Sequence, residues 1–175
     1  SPARTIEDLK GRLIRTISSV EPWFKKAGIE PSFIATAEVY EAIQRGTVDG
    51  ATLAISSIVS GKYYEVAPWI IISNLYTGSL PMIMNLDFYN SLRPDVRKIL
   101  DDAVLQVEKD FYGFIDKQYQ EQMAFLKSQP KVTLYELPPA ELARWQALAK
   151  DVYADLAKKW GPEWTEWDRV WKTLQ

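Results

Sequence analysis

Glu38-Val39-Tyr40-Glu41-Ala42-Ile43-Gln44-Arg45-Gly46-Thr47-Val48-Asp49-Gly50-Ala51 changes pattern in mid-course. Val39, Ala42 and Ile43 share one helical face, with Thr36 or Ala37 as the opening residue and Gly46 as the stop. An apolar run then starts at Val48, crosses Asp49-Gly50 and continues to Ile55. A helix that delivers the chain into a strand is half of a parallel crossover, so earlier strands are expected upstream. Leu13 to Ile17 is one such run, and Pro31 to Ala35, with Phe33 and Ile34, is another. Val20 to Ala27 reads as the helix between them, closed by Gly28. Strand, helix, strand, helix, strand predicts an α/β fold with a parallel layer and right-handed crossovers.

Downstream, residues 66–73 form a β-rich run whose Pro68 confines its start to an edge or entry position. Asn74 to Ser79 is loop-like, and Leu80 to Met84 reads as a further strand. From Pro94 to about Lys127 the pattern is helical, with an apolar stripe through Val96, Ile99, Ala103, Val107, Phe111, Phe114 and Ile115 to Met123 and Leu126. Such a helix is ~50 Å long, whereas a compact globule of this size is roughly 40 Å across. Unless it bends at Gly113, the helix is longer than the body the chain can build, and its stripe should cross more than one packing unit. A strand at Val132 to Tyr135 comes next, then a helix from Ala140 to Trp160, a break at Gly161-Pro162 and a last helix to Leu174. The expected division is 1–73, an α/β core; 74–128, a hinge, a strand and the long helix; and 129–175, a strand and C-terminal helices.

Composition removes many chemistries. The chain has 175 residues, 21 Lys+Arg against 23 Asp+Glu, and neither Cys nor His. Disulfides, Cys or His zinc sites and Ser-His-Asp or Cys-His catalysis are therefore excluded. No phosphate-cradling, nucleophile-elbow or calcium-loop motif is present, which leaves carboxylates, Ser/Lys pairs, Tyr or oxygen-ligated metals open to catalysis, and no cofactor, metal or catalytic residue is assigned among them. The acids Asp101-Asp102 and Glu7-Asp8 are adjacent, and helical neighbours diverge by about 100° rather than facing one substrate. A formal net charge of −2 gives no footprint for nucleic acid. No apolar run approaches the roughly 18 residues of a membrane span, and Ser1-Pro2-Ala3-Arg4 is no signal peptide. The expectation is either a cytosolic protein or one whose leader has been removed.

Two features carry more. Trp160, Trp164, Trp167 and Trp171 recur at helical spacing, which suits either docking onto the body of the protein or a self-association seam on the last helix. Sugar stacking on them is a weaker third reading. Arg15 lies toward the end of the first apolar strand, where open α/β sheets line their ligand crevice. A guanidinium there can grip a carboxylate through two parallel N–H···O bonds. From position alone it could equally be an edge arginine paired with a surface acid.

Four blocks in order, Asp8-Leu9-Lys10-Gly11-Arg12-Leu13-Ile14-Arg15, then 38–51, then Lys62-Tyr63-Tyr64-Glu65-Val66-Ala67, then Met84-Asn85-Leu86-Asp87-Phe88-Tyr89, resemble the solute-binding proteins of tripartite ATP-independent periplasmic (TRAP) transporters. The resemblance weakens after about Pro138. It implies a periplasmic-binding-protein-like (type II) lobe with a lobe-spanning helix and C-terminal helices, in an incomplete two-lobe architecture with most of the first lobe missing. It implies no enzyme, but a periplasmic binder that captures a small organic acid for permease subunits driven by an ion gradient. Arg15 matches the family's carboxylate-binding arginine, and Ser18, Thr36, Leu53 and Thr77 fall at cleft-lining positions. Leu53 stands where the family often has a polar or aromatic contact. The alternative is an oligomerising interaction module without transport. A homo-oligomer or swapped dimer is expected, through the exposed lobe interface or the Trp164/Trp167/Trp171 helix.

Overall fold

The structure, a computed structural model, describes residues 2–75 and 81–173, with the backbone alone at 167 and 170–173. The chain divides into two compact units, residues 1–75 with 131–175, and residues 76–130.

The first unit holds the parallel layer. β1 (Leu13–Arg15) lies between β2 (Glu30–Ser32) and β3 (Gly50–Ala51), both parallel to it. The chain runs from β1 to β2 on one side and then crosses to β3 on the other, so the direction of winding reverses at the central strand. α2 (Glu21–Lys26) makes the first crossover; Pro22 sits in its first turn, where a missing N–H costs nothing. Gly28 comes next at φ +77°, a left-handed conformation that glycine adopts without strain. The second crossover is a 3₁₀ turn, Thr36–Glu38, running into α3 (Val39–Gln44).

Period-two alternation sends Ile14 and Arg15 to opposite faces of the sheet. On the Ile14 face lies the core, where Val20, Trp23, Phe24 and Ile29 meet Trp145 and Val152 of α7 (Pro139–Trp160). Trp145 packs edge-on against Trp23 at 6.1 Å between ring centres, and the Trp23 indole N–H donates to the Trp145 carbonyl at 3.0 Å. The short α1 (Ile6–Leu9) carries a capping box between Thr5 and Asp8, and the buried Glu141 carboxylate of α7 accepts from its Ile6 amide at 2.7 Å. Arg144 joins Glu141 to Glu7.

β4 (Trp69–Ile72) begins directly after Pro68, at the entry position expected for that proline, and pairs in parallel with β5 (Thr133–Glu136). Trp69 stacks on Tyr135 at 5.4 Å with Arg4 over both rings. α7 ends at Gly161, φ +56°, and α8 (Pro162–Thr173) begins directly after it. Trp164 lies 5.8 Å from Tyr153 and 6.2 Å from Trp160, so this part of the tryptophan series packs within the chain. The side chains of Trp167 and Trp171 lie outside the described residues.

Three expectations need correction here. The run from Val48 to Ile55 is a strand only at Gly50–Ala51, because Ile55 already opens α4 (Ile55–Ser60). The second strand lies at Glu30–Ser32, so Phe33 to Ala35 fall beyond it. The strand expected over Leu80 to Met84 is not formed in its described part: residues 81–85 are irregular and Ile83 is 87% exposed. A strand needs a neighbour to complete its ladder, and the second unit holds none among its described residues.

That second unit consists of α5 (Leu86–Ser91), capped by the Asn85 side chain, and the 35-residue α6 (Pro94–Ser128). Tyr89 of α5 donates to Asp101 of α6 and lies under Arg97. α6 runs without interruption through Gly113. Its apolar stripe is buried at Met123 and Leu126 but open at Ile99, Val107, Phe114 and Ile115.

Candidate functional site

Arg15 ends the central strand on the face opposite the core, and both flanking strands end beside it. Its guanidinium is held by the segments just past the ends of those strands. Nε donates to the Ile34 carbonyl at 3.2 Å, beyond β2; Nη1 donates to the Thr52 carbonyl at 3.5 Å, beyond β3. Nη2 donates to Thr36 Oγ1 at 3.0 Å. The residue is buried, at 8% exposure, and all three acceptors are neutral. No carboxylate pairs with it among the described residues, and it lies on the central strand, so the edge-arginine reading does not describe it.

A buried guanidinium is costly unless an anion compensates it. Of its five N–H groups, three are engaged, and one hydrogen remains on each terminal nitrogen. Two donors on neighbouring nitrogens are what a bidentate carboxylate contact requires. The site sits where open α/β sheets bind ligands, outside the carboxyl ends of the strands at the reversal of strand order.

The structure brings Arg15 and Thr36 together by a direct hydrogen bond. Leu53 is half-buried and adjoins Thr52, whose carbonyl receives Nη1. Ser18 is exposed on the turn after β1 and takes part in none of the bonds around Arg15. Thr77 lies outside the described residues.

Sequence reasoning passed over three supporting residues. Thr52 donates its amide to the Arg15 carbonyl at 2.8 Å, and its hydroxyl bonds the buried Thr16 hydroxyl at 3.0 Å. Tyr63, itself buried, donates its hydroxyl to the Thr36 carbonyl at 2.8 Å and so fixes the turn that presents Thr36 to Arg15. Gly61 makes room for that ring: a Cβ there would sit 2.5 Å from Tyr63 Cε2. Thr52 could have been found as the hydroxyl inside the third apolar run; nothing in the spacing of Gly61 and Tyr63 announces a link to Thr36, 27 residues from Tyr63.

No cluster of three or more acids that could hold a metal occurs among the described residues, and no described helix is long and apolar enough to cross a membrane.

Arg15 is thus a strand-end arginine with uncommitted donors on a parallel sheet of reversed order. The sequence profile of the bacterial extracellular solute-binding proteins, family 7, matches residues 1–159, and the chain belongs to that family. It is 26% identical over 164 residues to the C4-dicarboxylate-binding protein DctB of Bacillus subtilis, covering 93% of this chain and 47% of that protein. It is 27% identical over 165 residues to the C4-dicarboxylate-binding periplasmic protein DctP of Rhodobacter capsulatus, covering 93% and 50%. Among solved structures, a TRAP periplasmic solute-binding protein from Desulfovibrio salexigens with bound orotic acid superposes with a TM-score of 0.86 at 22% identity, over 98% of this chain and 56% of that one. The fold is thus that of TRAP periplasmic binding proteins, and the chain spans about half the length of the curated relatives it matches.

Proposed function

We propose that this chain is the carboxylate-binding part of a TRAP transporter solute-binding protein. It captures a small organic acid in the periplasm through Arg15 and presents it to membrane permease subunits for uptake driven by an ion gradient. The role is binding and release rather than catalysis. The observation that carries the reading is the buried Arg15 guanidinium, held by three neutral acceptors just past the ends of the two flanking strands and keeping a free hydrogen on each terminal nitrogen. Thr36 positions the fork and Leu53 forms wall beside it, while Ser18 and Thr77 are carried as further ligand contacts by the family resemblance alone.

Ligand sites of this kind enclose most of the ligand between two walls, and this chain supplies one. The second wall belongs to a further lobe, within the half of the relatives' length that the chain does not span. The open apolar stripe of α6, with the exposed Met82, Ile83, Leu86 and Phe88 before it, supports this, since such a surface ordinarily has a cover. Calorimetry on the complete two-lobed polypeptide tests the reading: Arg15→Ala abolishes the heat of ligand binding, and unchanged affinity removes the arginine from this role. The oligomerising-module alternative gains nothing from the comparisons, and the intrachain packing of Trp160 and Trp164 weakens it.

A further inference from the structure

Beyond its carboxylate, a ligand gripped by Arg15 meets a wall without charge. The five residues that leave each of the three strands, 16–20, 33–37 and 52–56, contain no Asp, Glu, Lys or Arg. Their hydroxyls are partly engaged already, Thr16 and Thr52 with each other and Thr36 with the guanidinium. What the segments offer instead is apolar. Arg15 and Ala51 are paired across β1 and β3, the Thr52 amide donates to the Arg15 carbonyl at 2.8 Å just past the strands, and Leu53 and Ile17 lie one and two residues beyond that last bonded step. Ile17 is 41% exposed, Leu53 is half-buried, and Phe33, the first residue past β2, is 54% exposed. Large apolar side chains left open beside a buried cation make a surface with one charged point and an apolar surround.

We infer that the ligand presents a single carboxylate to Arg15 and lays an apolar body, an alkyl chain or an aromatic ring, along Ile17 and Leu53. A second carboxylate on this wall would be desolvated with no cation to meet it, and a chain of hydroxyls would lose its water with few partners in return. The inference rests on Arg15 as carboxylate anchor and adds the class of acid. It separates this chain from the two relatives named for C4-dicarboxylates.

The test is an NMR titration of the complete two-lobed polypeptide with three six-carbon acids that differ only beyond their first carboxyl group: hexanoate, adipate and gluconate. The Arg15 Nε–H signal reads the carboxylate contact, and the Ile17 and Leu53 methyl signals read the body. Hexanoate shifts both sets and binds at least about fivefold more tightly than adipate or gluconate, the scale of a modest change in apolar contact. Leu53→Asn, in a chain whose Arg15 signal keeps its position, narrows that preference for hexanoate over gluconate. If adipate or gluconate binds as tightly as hexanoate while all three move the Arg15 signal, the apolar-body inference is overturned and the anchor stands. If none of the three moves the Arg15 signal, the anchor itself fails, and the inference with it.

Discussion

α6 and α7 are both long amphipathic helices opened by proline, yet among the described residues the apolar face of one is covered and much of the other's is open. α7 buries Trp145 and Val152 in a core it shares with α2 and β1. α6 is half as long again and leaves Ile99, Val107, Phe114 and Ile115 at 44–68% exposure. Periodicity reports that a face exists and says nothing of where its cover lies. The excess of helix length over the size of the globule is a clue of a different kind, since it asks for more than one packing unit.

The contrast is broken most directly by paired truncations and chemical denaturation of each variant. Trp145→Ala removes a core ring that is 3% exposed and costs about 3–5 kcal/mol. Phe114→Ala, at 58% exposure, changes stability of the same chain by no more than about 0.5 kcal/mol. Comparable losses at the two sites would mean that the α6 face is packed after all.

A smaller effect probes the support of Arg15 within the first unit. Gly61→Ala forces a methyl against the Tyr63 ring and within 3.1 Å of the Ser57 carbonyl, and costs about 1–3 kcal/mol as overpacking does. Because Tyr63 fixes the Thr36 turn, the Arg15 Nε–H signal should move as well; a stability loss with that signal unmoved would sever Tyr63 from the site.

The smallest effect lies where α7 meets α1. Arg144 holds the Glu7 carboxyl at about 2, below its ordinary 4.5. A lowered folded-state value means the pair stabilises fully above pH 4.5 and loses that contribution as pH falls toward 2. Both side chains are about half exposed, so the effect is slight and weakens further with salt. Arg144→Met flattens the acid limb of the stability profile; an unchanged limb would show that the pair does not set it.

The parallel layer was legible because each of its segments carries its own punctuation, Gly28 and Gly46 ending helices and apolar runs marking strands. Helix α4 was not, because Ile55 closes one apolar run and opens a helix with the same residue type. The strand expected at Leu80–Met84 is missing from its described residues, 81–84, for a different reason: β-propensity describes a segment, whereas a strand is a property of a pair. The site was half legible. Arg15 stood out by its place at a strand end, and Leu53 by its lack of polarity, but the turn that aims Thr36 depends on a tyrosine hydroxyl and a missing Cβ about 25 residues away.

The claim on which the rest depends is that Arg15 binds a carboxylate as a planar fork held from the ends of the two flanking strands. Calorimetry on the complete polypeptide with Arg15→Lys tests it most directly, since the charge is kept and the fork is lost. The account predicts at least about tenfold weaker binding, the worth of one charge-assisted hydrogen bond. Full affinity with lysine in place of Arg15 would contradict it.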